Sequence, residues 1–426
     1  MPVASASTLD DRPVSVNDRE QLIYLLTEAA EIEHGLMCSY LYAAWSLKQS
    51  IDEGVTQAQL AAIERWRASI QSIAMEEMAH LALVSNLLMS LGSPPHFSRP
   101  NFPVLPGYHP SSIVVRLTPF TPDTADHFVY LERPEGVDLP RATGFESDIE
   151  YERHSGGTRL TPTAEDYGTV GHLYRGIDGG FRMLAEKLGH DALFLGDPRA
   201  QVSPEVVALP GLTAVTDLDS ALKAIATIVE QGEGGRRDAE QSHYARFRAI
   251  RADYAALLGQ DPAFRPYRPV ASEPVMFRPI ADAGLVHVSA SPAARVLDLA
   301  NASYGLMLRL LASGFGMERG NSDARRVEID SAIGMMSIVK SLALLLTGLP
   351  AAGAAGPMAG MNFHLPRSTL ALPQRRAGTA LLAERAREIA DALASLASEV
   401  PGADRSLSHR VAAIAAGLCD AGSPPE

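Results

Sequence analysis

The sequence predicts an all-α protein: a four-helix bundle with a long crossover between its second and third helices, covered by a second, C-terminal helical layer. Apolar residues recur with helical spacing in long segments on both sides of residue 260. A segment rich in Pro and Gly separates the second helical segment from the third. Two Glu-x-x-His runs also lie on helix faces that otherwise carry core residues. Together these features favour a bundle that holds a polar site in its core.

The composition is that of a globular protein. Its 426 residues are 46% hydrophobic and 20% charged. The net charge of −13, without a basic patch, argues against nucleic acid or an anionic membrane as the main partner. Two cysteines, Cys38 and Cys419, do not make a disulfide framework and suit a reducing compartment. The N-terminus lacks the apolar stretch of a signal peptide, and the most apolar run, residues 341–349, is too short to span a bilayer. We therefore expect a soluble, cytoplasmic protein.

The first two helices follow a short polar segment. We expect residues 1–16 to form a flexible arm and residues 17–260 to form the metal-binding bundle. The first helix is predicted over about residues 19–49 and the second over about residues 56–91. Each has one apolar stripe, which is the pattern of a helix that packs one face into a core.

A crossover connects the second helix to the third. Residues 92–162 show no helical period and are predicted to contain at most two short strands, at residues 112–117 and 128–131. A connection of this length is unusual for a mere linker, and such segments often shape binding sites. We expect it to wall a substrate pocket.

The third and fourth helices complete the predicted bundle. The third spans about residues 163–188 and carries glycines on one face, small enough for another helix to approach closely. The fourth begins near residue 217, is interrupted by the glycine-rich residues 232–235 and resumes over about residues 238–258. Local defects of this kind in helices are frequent at functional sites.

The C-terminal part, residues 261–426, is predicted to form a helical layer packed on the bundle. Its helices are expected at about residues 292–316, 323–347, 379–400 and 404–418. This part contains no Glu-x-x-His run, so the chemistry is expected in the first 260 residues.

Five inward-facing residues are the candidate metal ligands. The second helix supplies Glu77 and His80, the resumed fourth helix supplies Glu240 and His243, and the first helix supplies Glu33. On a helix, Glu-x-x-His places a carboxylate and an imidazole on one face, a turn apart. Three buried carboxylates require a neutralising cation, and a mixed oxygen and nitrogen donor set suits iron or manganese. The sequence therefore predicts a two-metal site.

One corner of that site is left open by the sequence. Di-metal carboxylate bundles carry a single Glu on each of two helices and Glu-x-x-His on each of the other two. The third helix has no carboxylate at an obvious position; its candidates are His172, Asp178 and Glu186. His172 qualifies only if its face looks into the bundle. Glu233, in the glycine-rich break, is the alternative.

Tyr40 lies seven residues after Glu33 on the same face of the first helix. It is expected either to hydrogen-bond a ligand carboxylate or to serve redox chemistry, unless it is simply a core tyrosine. Glu33 and Tyr40 are the residues to which we assign a catalytic role. The remaining histidines that stand out are expected in surface or loop positions: His34, His96, His109 and His364.

Five short segments resemble one family. They read LTEAAEIEH at residues 26–34, EMAH at 77–80, YGTVGHLY at 167–174, VEQGEG at 229–234 and SHYARF at 242–247. These segments resemble the ferritin-like domain of the iminophenyl-pyruvate dimer synthases of the violacein and rebeccamycin pathways. The resemblance covers about residues 18–260 and, more faintly, the C-terminal helices. In those enzymes the domain is the start of a much longer chain. The chain differs at His172, where that family's motif leads us to expect a carboxylate or amide.

The resemblance implies a ferritin-like four-helix fold, an iron site and oxidative chemistry on amino-acid-derived imines in secondary metabolism. The resulting hypothesis is a metal-dependent oxidase or oxygenase that uses two iron ions, with manganese or copper as alternatives. Its expected partners are dioxygen and a small-molecule substrate, and a homodimer is the oligomer considered. Two other functions stay open: an iron-storage ferroxidase and a degenerate, non-catalytic binding protein.

Overall fold

The computed structural model confirms the all-α prediction. It describes residues 14–105, 107–110, 113–146, 160–234, 239–277, 284–316, 322–353, 355–367, 375–400 and 402–422. Within these ranges lie eleven α-helices: α1 (Arg19–Ser46), α2 (Gln57–Ser90), α3 (Pro122–Leu131), α4 (Val170–Leu188), α5 (His190–Leu193), α6 (Leu218–Val229), α7 (His243–Gln260), α8 (Ala293–Phe315), α9 (Ser322–Leu346), α10 (Arg375–Glu399) and α11 (Ser406–Gly422). A two-stranded parallel sheet pairs β1 (Pro274–Val275) with β2 (Val286–His287).

Helices α1 and α2 form the hairpin on which the bundle is built. The carboxylate of Asp18 accepts a hydrogen bond from the backbone N–H of Gln21 and so starts α1. Thr56 and Gln59 form a reciprocal capping box at the start of α2. Both helices bury apolar residues along their whole length, with α4, α6 and α7 packed against them. Their predicted positions are correct to within three residues at each end.

The glycine face of α4 receives an extended segment rather than a helix. Val14 and Val16 are buried and lie directly over Gly176 and Gly180. A Cβ atom added at Gly176 would lie only 2.5 Å from the Cβ of Val14, so glycine is required for this approach. The described end of the predicted arm is therefore docked on the bundle. Helix α4 also begins at Val170, capped by Thr169, seven residues later than predicted.

The crossover contains a helix, so the prediction of a helix-free crossover was wrong. Helix α3 spans Pro122–Leu131, which includes residues predicted as a strand. The Thr121 hydroxyl accepts a hydrogen bond from the backbone N–H of Thr124, and Pro122 occupies the first turn, where its missing N–H costs nothing. No strand forms over residues 113–117, the described part of the other predicted strand. Helix α3 packs on α7 and brings the crossover to the bundle.

The fourth helix of the bundle is broken, as the glycines predicted. Helix α6 runs into a π-helical turn over Glu230–Gly234, and a short 3-10 turn over Ala239–Gln241 precedes α7. Helix α7 begins only at His243, because the Ser242 side chain caps it by accepting a hydrogen bond from the backbone N–H of Ala245. Its start is five residues later than predicted, so His243 is not paired with Glu240 on one continuous helix.

The C-terminal helices form the second layer, in which α8 packs on α9 and α10 packs on α11. Tyr304 of α8 hydrogen-bonds His34 of α1, and Trp45 of α1 stacks on Phe363 with ring centroids 5.6 Å apart. His34 is buried within α1, contrary to the surface or loop position expected for it, whereas His109 lies in a loop as expected but is buried there. The boundary at residue 260 thus separates two parts of the chain that share a core.

Among the described residues, one helix is long and apolar enough to cross a membrane by length and composition alone, namely Asp323–Leu346. Half of its most apolar window is buried inside the protein. It packs against α8 and α11, which is the environment of a core helix.

Candidate metal centre

Three carboxylates and two imidazoles meet in the core of the bundle. Glu33 comes from α1, Glu77 and His80 come from α2, and His243 is the first residue of α7. The fifth group, Glu132, directly follows α3 of the crossover. Each of the five residues is at most 7% exposed. Such a set of buried acids and imidazoles is costly unless its charges are neutralised inside the site.

The five residues form two overlapping sets that share Glu77. We call the first set the His80 position: it consists of Glu33, Glu77 and His80, and one ligand atom of each lies within 4.8 Å of the others. We call the second set the His243 position: it consists of Glu77, Glu132 and His243, whose ligand atoms meet the same distance limit. A carboxylate has two oxygens, so Glu77 can contribute one to each position. This arrangement suits two neighbouring cations.

Both imidazoles turn the same ring nitrogen toward the carboxylates. Nδ1 of His80 lies 3.1 Å from Glu77 Oε2 and 3.5 Å from Glu33 Oε2. Nδ1 of His243 lies 3.0 Å from Glu77 Oε1 and 3.6 Å from Glu132 Oε2. The two rings are stacked, with centroids 5.4 Å apart. Two nitrogen lone pairs can thus face one cluster of oxygens.

The outer nitrogen of each imidazole has a defined partner. Nε2 of His80 lies 2.9 Å from Oε1 of Gln231, which belongs to the π-helical turn. Nε2 of His243 lies 3.0 Å from Oε2 of Glu76, and Arg246 pairs with both oxygens of that carboxylate. An amide or carboxylate oxygen accepts a hydrogen bond, so Nε2 carries the hydrogen and Nδ1 is left to bind a cation.

Two tyrosines hold the outer carboxylates. Tyr174 of α4 donates a hydrogen bond to Glu33 Oε1 at 2.5 Å, and Tyr40 of α1 donates one to Glu132 Oε1. Burial, together with the nearby carboxylates, raises the pKa of both phenols well above their usual value of 10. Both hydroxyls therefore stay protonated and act as donors that fix the carboxylates.

The electrostatics of the site show what a cation would replace. Burial, reinforced by Glu77, raises the pKa of Glu33 to about 8. Burial opposes a charge on His80, but its contacts with Glu33 and Glu77 outweigh this and raise the pKa of the imidazole to about 10. Protons on these groups balance the carboxylates when no cation is present. Metal binding would displace them, as it does at other carboxylate and histidine sites.

The donor set fits a pair of iron or manganese ions. Three carboxylates and two imidazole nitrogens supply mixed oxygen and nitrogen ligands without a thiolate. His243 Nδ1 also lies 3.0 Å from Glu77 Oε1 without making a hydrogen bond of acceptable geometry in the described part of the protein. A buried nitrogen aimed between two carboxylates, rather than at one oxygen, is suited to binding a cation.

A small cavity beside the cluster has room for about one water-sized molecule. The polar cluster forms one side, and aliphatic residues of α1, α4 and α6 form much of the rest. The lining residues are Glu33, Leu36, Glu77, His80, Leu131, Glu132, Val170, Gly171, Tyr174, Ile228, Val229, Gly232 and His243. The crossover contributes Leu131 and Glu132, as its predicted role in walling a pocket requires. The cavity leaves space for a water-sized molecule next to the cluster.

Glu240 does not join the site, and this corrects the expected symmetry of the two Glu-x-x-His runs. The structure brings together Glu33, Glu77, His80 and His243, with Tyr40 in contact through Glu132. Glu240 is exposed on the 3-10 turn before α7. Because α7 begins at His243, Glu240 precedes the helix and the expected turn-apart geometry does not hold.

The two candidates for the open corner have different outcomes. His172 is buried in the first turn of α4, where its backbone N–H donates to the Thr169 side chain. It belongs to neither metal position, although its neighbour Gly171 lines the cavity. The backbone of Glu233 lies in the π-helical turn, and its side chain is outside the described residues.

Four residues at the site were missed by the sequence analysis. They are Glu132, Tyr174, Gln231 and Glu76. Tyr174 recurs at helical spacing with apolar residues of α4, a pattern that indicates a core residue. Glu132 carries no neighbouring His at helical spacing, and its one signal was the Thr121-Pro122 helix start ten residues earlier.

The comparisons with known proteins agree with this fold. A family model described as "Ferritin-like" matches residues 26–252. The 2-imino-3-(indol-3-yl)propanoate dimerase of Chromobacterium violaceum is 28% identical over 396 residues, covering 88% of this chain and 36% of that protein. The dichlorochromopyrrolate synthase of Lentzea aerocolonigenes is 28% identical over 427 residues, covering 92% of this chain and 40% of that protein.

The chain thus spans well under half the length of these two relatives. Among solved structures, a ferritin-like protein from Caulobacter vibrioides is similar with a TM-score of 0.46 and 17% identity. That similarity covers 81% of this chain and all of the other.

Proposed function

Because the chain belongs to the ferritin-like family, we propose that it is an oxidoreductase that holds two iron ions at the His80 and His243 positions. Its substrate is a small amino-acid-derived molecule of secondary metabolism, and dioxygen is the co-substrate. The observation that carries this proposal is the shared carboxylate Glu77, flanked on each side by one imidazole and one further carboxylate. Manganese or copper is the alternative to iron.

Each residue of the cluster has a role that follows from its position. Glu77 belongs to both positions and would help to hold both ions, while Glu33 and Glu132 would each help to hold one. Tyr174 and Tyr40 keep those two carboxylates in place. With five protein ligands for two iron ions, coordination positions would remain for small molecules. Iron held there would supply the redox chemistry by which dioxygen oxidises the substrate, chemistry that side chains alone do not provide.

The lining of the cavity supports a reaction site with largely apolar surroundings. Leu36, Val170, Ile228 and Val229 line it together with the cluster and exclude bulk water from the reacting groups. The substrate class is proposed from the relatives, whose names are those of a dimerase of an indolyl imino acid and of a synthase. An imine derived from an aromatic amino acid is therefore the substrate to test first.

The experiment begins with the metal content of the protein purified without dioxygen and supplied with Fe(II). We expect two iron ions per chain, and consumption of dioxygen when the imine of an aromatic amino acid is added. Generating the imine in place with an amino-acid oxidase, followed by mass spectrometry, identifies the product. Metal content well below one ion per chain, with neither manganese nor copper in place of iron, would contradict the proposal.

A matched pair of variants tests which glutamate belongs to the centre. Glu132→Gln keeps an acceptor for Tyr40 but replaces a carboxylate ligand by a neutral amide, so the iron content should fall from two toward one per chain. Glu240→Gln changes an exposed residue and should keep both ions. The opposite pattern would show that Glu240, and not Glu132, completes the site.

A further inference from the structure

The two metal positions have nearly equal inner surroundings. Each has one imidazole Nδ1, an oxygen of Glu77 and a further carboxylate. Each of those further carboxylates accepts a hydrogen bond from a buried tyrosine. Inner ligands alone therefore give no reason for the two positions to differ in affinity.

The positions differ at the outer nitrogen of the imidazole. In the His243 position, Nε2 donates to the carboxylate of Glu76, which Arg246 holds in place from the next turn of α7. In the His80 position, Nε2 donates to the neutral amide oxygen of Gln231 on the π-helical turn. A carboxylate acceptor draws the N–H hydrogen more strongly than an amide does, and so makes the imidazole a better electron donor to a metal. Arg246 reduces this effect without removing the carboxylate.

We propose that the His243 position binds its ion first and more tightly than the His80 position, because Glu76 rather than an amide holds its imidazole. This inference rests on the proposed two-metal function. Outer partners of ligating histidines change metal affinity by about 10- to 100-fold, so the two dissociation constants should differ by about that factor. The ion in the His80 position is then the exchangeable one, and Gln231 is a positioning residue that sets its affinity.

The test is a stepwise titration of the full chain with Co(II) without dioxygen, followed by visible absorption and by competition with a chelator. The wild-type protein should show two steps about 10- to 100-fold apart. His80→Ala should retain the tighter step, and His243→Ala the weaker step. These two variants assign each step to a position by its absorption spectrum as well as by its affinity.

Charge exchange at the outer partners then tests the cause. Gln231→Glu gives both imidazoles a carboxylate partner and should bring the two steps to within about threefold. Glu76→Gln should do the same by weakening the first step. Glu230→Ala alters an exposed side chain on the same π-helical turn and should leave both steps unchanged. Thermal unfolding of each variant shows whether the fold is retained. Tighter metal binding at the weaker step in Gln231→Glu cannot be explained by a loss of structure.

The outcomes separate this inference from the proposal on which it depends. Two equal steps in the wild-type protein, or steps left apart in Gln231→Glu, would overturn the ranking while leaving a two-metal protein. Retention of the tighter step by His243→Ala would reverse the assignment. A wild-type protein that binds no Co(II), Fe(II) or Mn(II) would overturn the proposed function itself.

Discussion

Glu273 is a buried carboxyl far from the metal ligands in sequence, and only one of its oxygens is used by a neighbour. Oε1 accepts a hydrogen bond from the backbone N–H of Leu117 at 2.8 Å, while Oε2 has no hydrogen-bond partner in the described part of the protein. Burial raises the pKa of Glu273 to about 7. In the unfolded chain the carboxyl ionises near pH 4.5. The folded protein therefore keeps the proton over a pH range in which the unfolded chain has lost it.

This makes Glu273 a source of pH-dependent instability. As pH rises from about 4.5 to about 7, ionisation favours the unfolded chain, and the stability present at lower pH is lost. We expect Glu273→Gln, which mimics the protonated form, to gain about 2 to 3 kcal/mol relative to wild type between pH 5 and pH 8, at 1.36 kcal/mol per pKa unit. Urea unfolding at the two pH values measures this.

The matched control is Glu64→Gln, a change at an exposed residue of α2. It should leave the wild-type pH dependence intact. If the difference in free energy of unfolding between Glu273→Gln and wild type were the same at both pH values, the role of Glu273 would be contradicted.

At the scale of residues, the sequence predicts the part of the site that lies on unbroken helices. Glu33, Glu77 and His80 are recognisable because each interrupts an apolar stripe of α1 or α2. Glu132 is not recognisable, because it follows a ten-residue helix in a segment without a long period. Glu240 misled the prediction, since a Glu-x-x-His spacing has its geometric meaning only where the helix is continuous.

At the scale of elements, α4 is held by a contact that depends on glycine. A Cβ atom added at Gly176 would lie 2.5 Å from the Cβ atom of Val14. We expect Gly176→Ala to destabilise the protein by about 1 to 3 kcal/mol, because the segment must shift or detach. Val14→Gly removes the opposing Cβ, so the double variant should lose less than the sum of the two single variants. Thermal unfolding and limited proteolysis before α1 are the measurements.

Gly179 provides the control on the same helix. A Cβ at Gly179 meets nothing within 4 Å, and the residue is exposed. Gly179→Ala should therefore stabilise α4 by about 0.5 to 1 kcal/mol through helix propensity alone. Equal effects of Gly176→Ala and Gly179→Ala would show that the contact with Val14 is not formed in solution.

Helix positions were predictable to within a few residues wherever an apolar period ran for several turns, as in α1, α2, α8 and α9. Two elements resisted prediction for different physical reasons. The glycine face of α4 indicates close approach but does not say whether a helix or an extended segment approaches. Helix α3 is short, and its last residues read equally well as a strand because short apolar runs do not fix a period.

At the scale of the whole molecule, the two layers share a core around α1. Of its 28 residues, 21 are buried, which exceeds what one packed face of a helix requires. His34 and Trp45 contact Tyr304 and Phe363 of the second layer. The sequence predicts a C-terminal layer packed on the bundle, but the apolar period of α1 does not show that its other face is buried too.

A buried guanidinium extends this shared core. Arg99 of the crossover is 5% exposed, and it donates hydrogen bonds to the Tyr304 hydroxyl at 3.3 Å and to the backbone carbonyl of Phe363 at 2.6 Å. Both acceptors belong to the second layer. Without them the guanidinium would be left in an apolar environment with unsatisfied donors, which is costly for a charged group.

A chain shortened after residue 260 should therefore not reach the native state, although it retains all five candidate ligands. It loses Tyr304 and Phe363, which leaves Arg99 without two acceptors and exposes the outer face of α1. We expect helical far-ultraviolet circular dichroism, weak near-ultraviolet signals and strong binding of a hydrophobic dye, the marks of a loosely packed state. The full chain carrying Tyr304→Phe should still fold, with a loss of about 1 to 3 kcal/mol from the partners left unsatisfied. Cooperative unfolding and full metal binding by the shortened chain would instead show that the bundle is an independent domain.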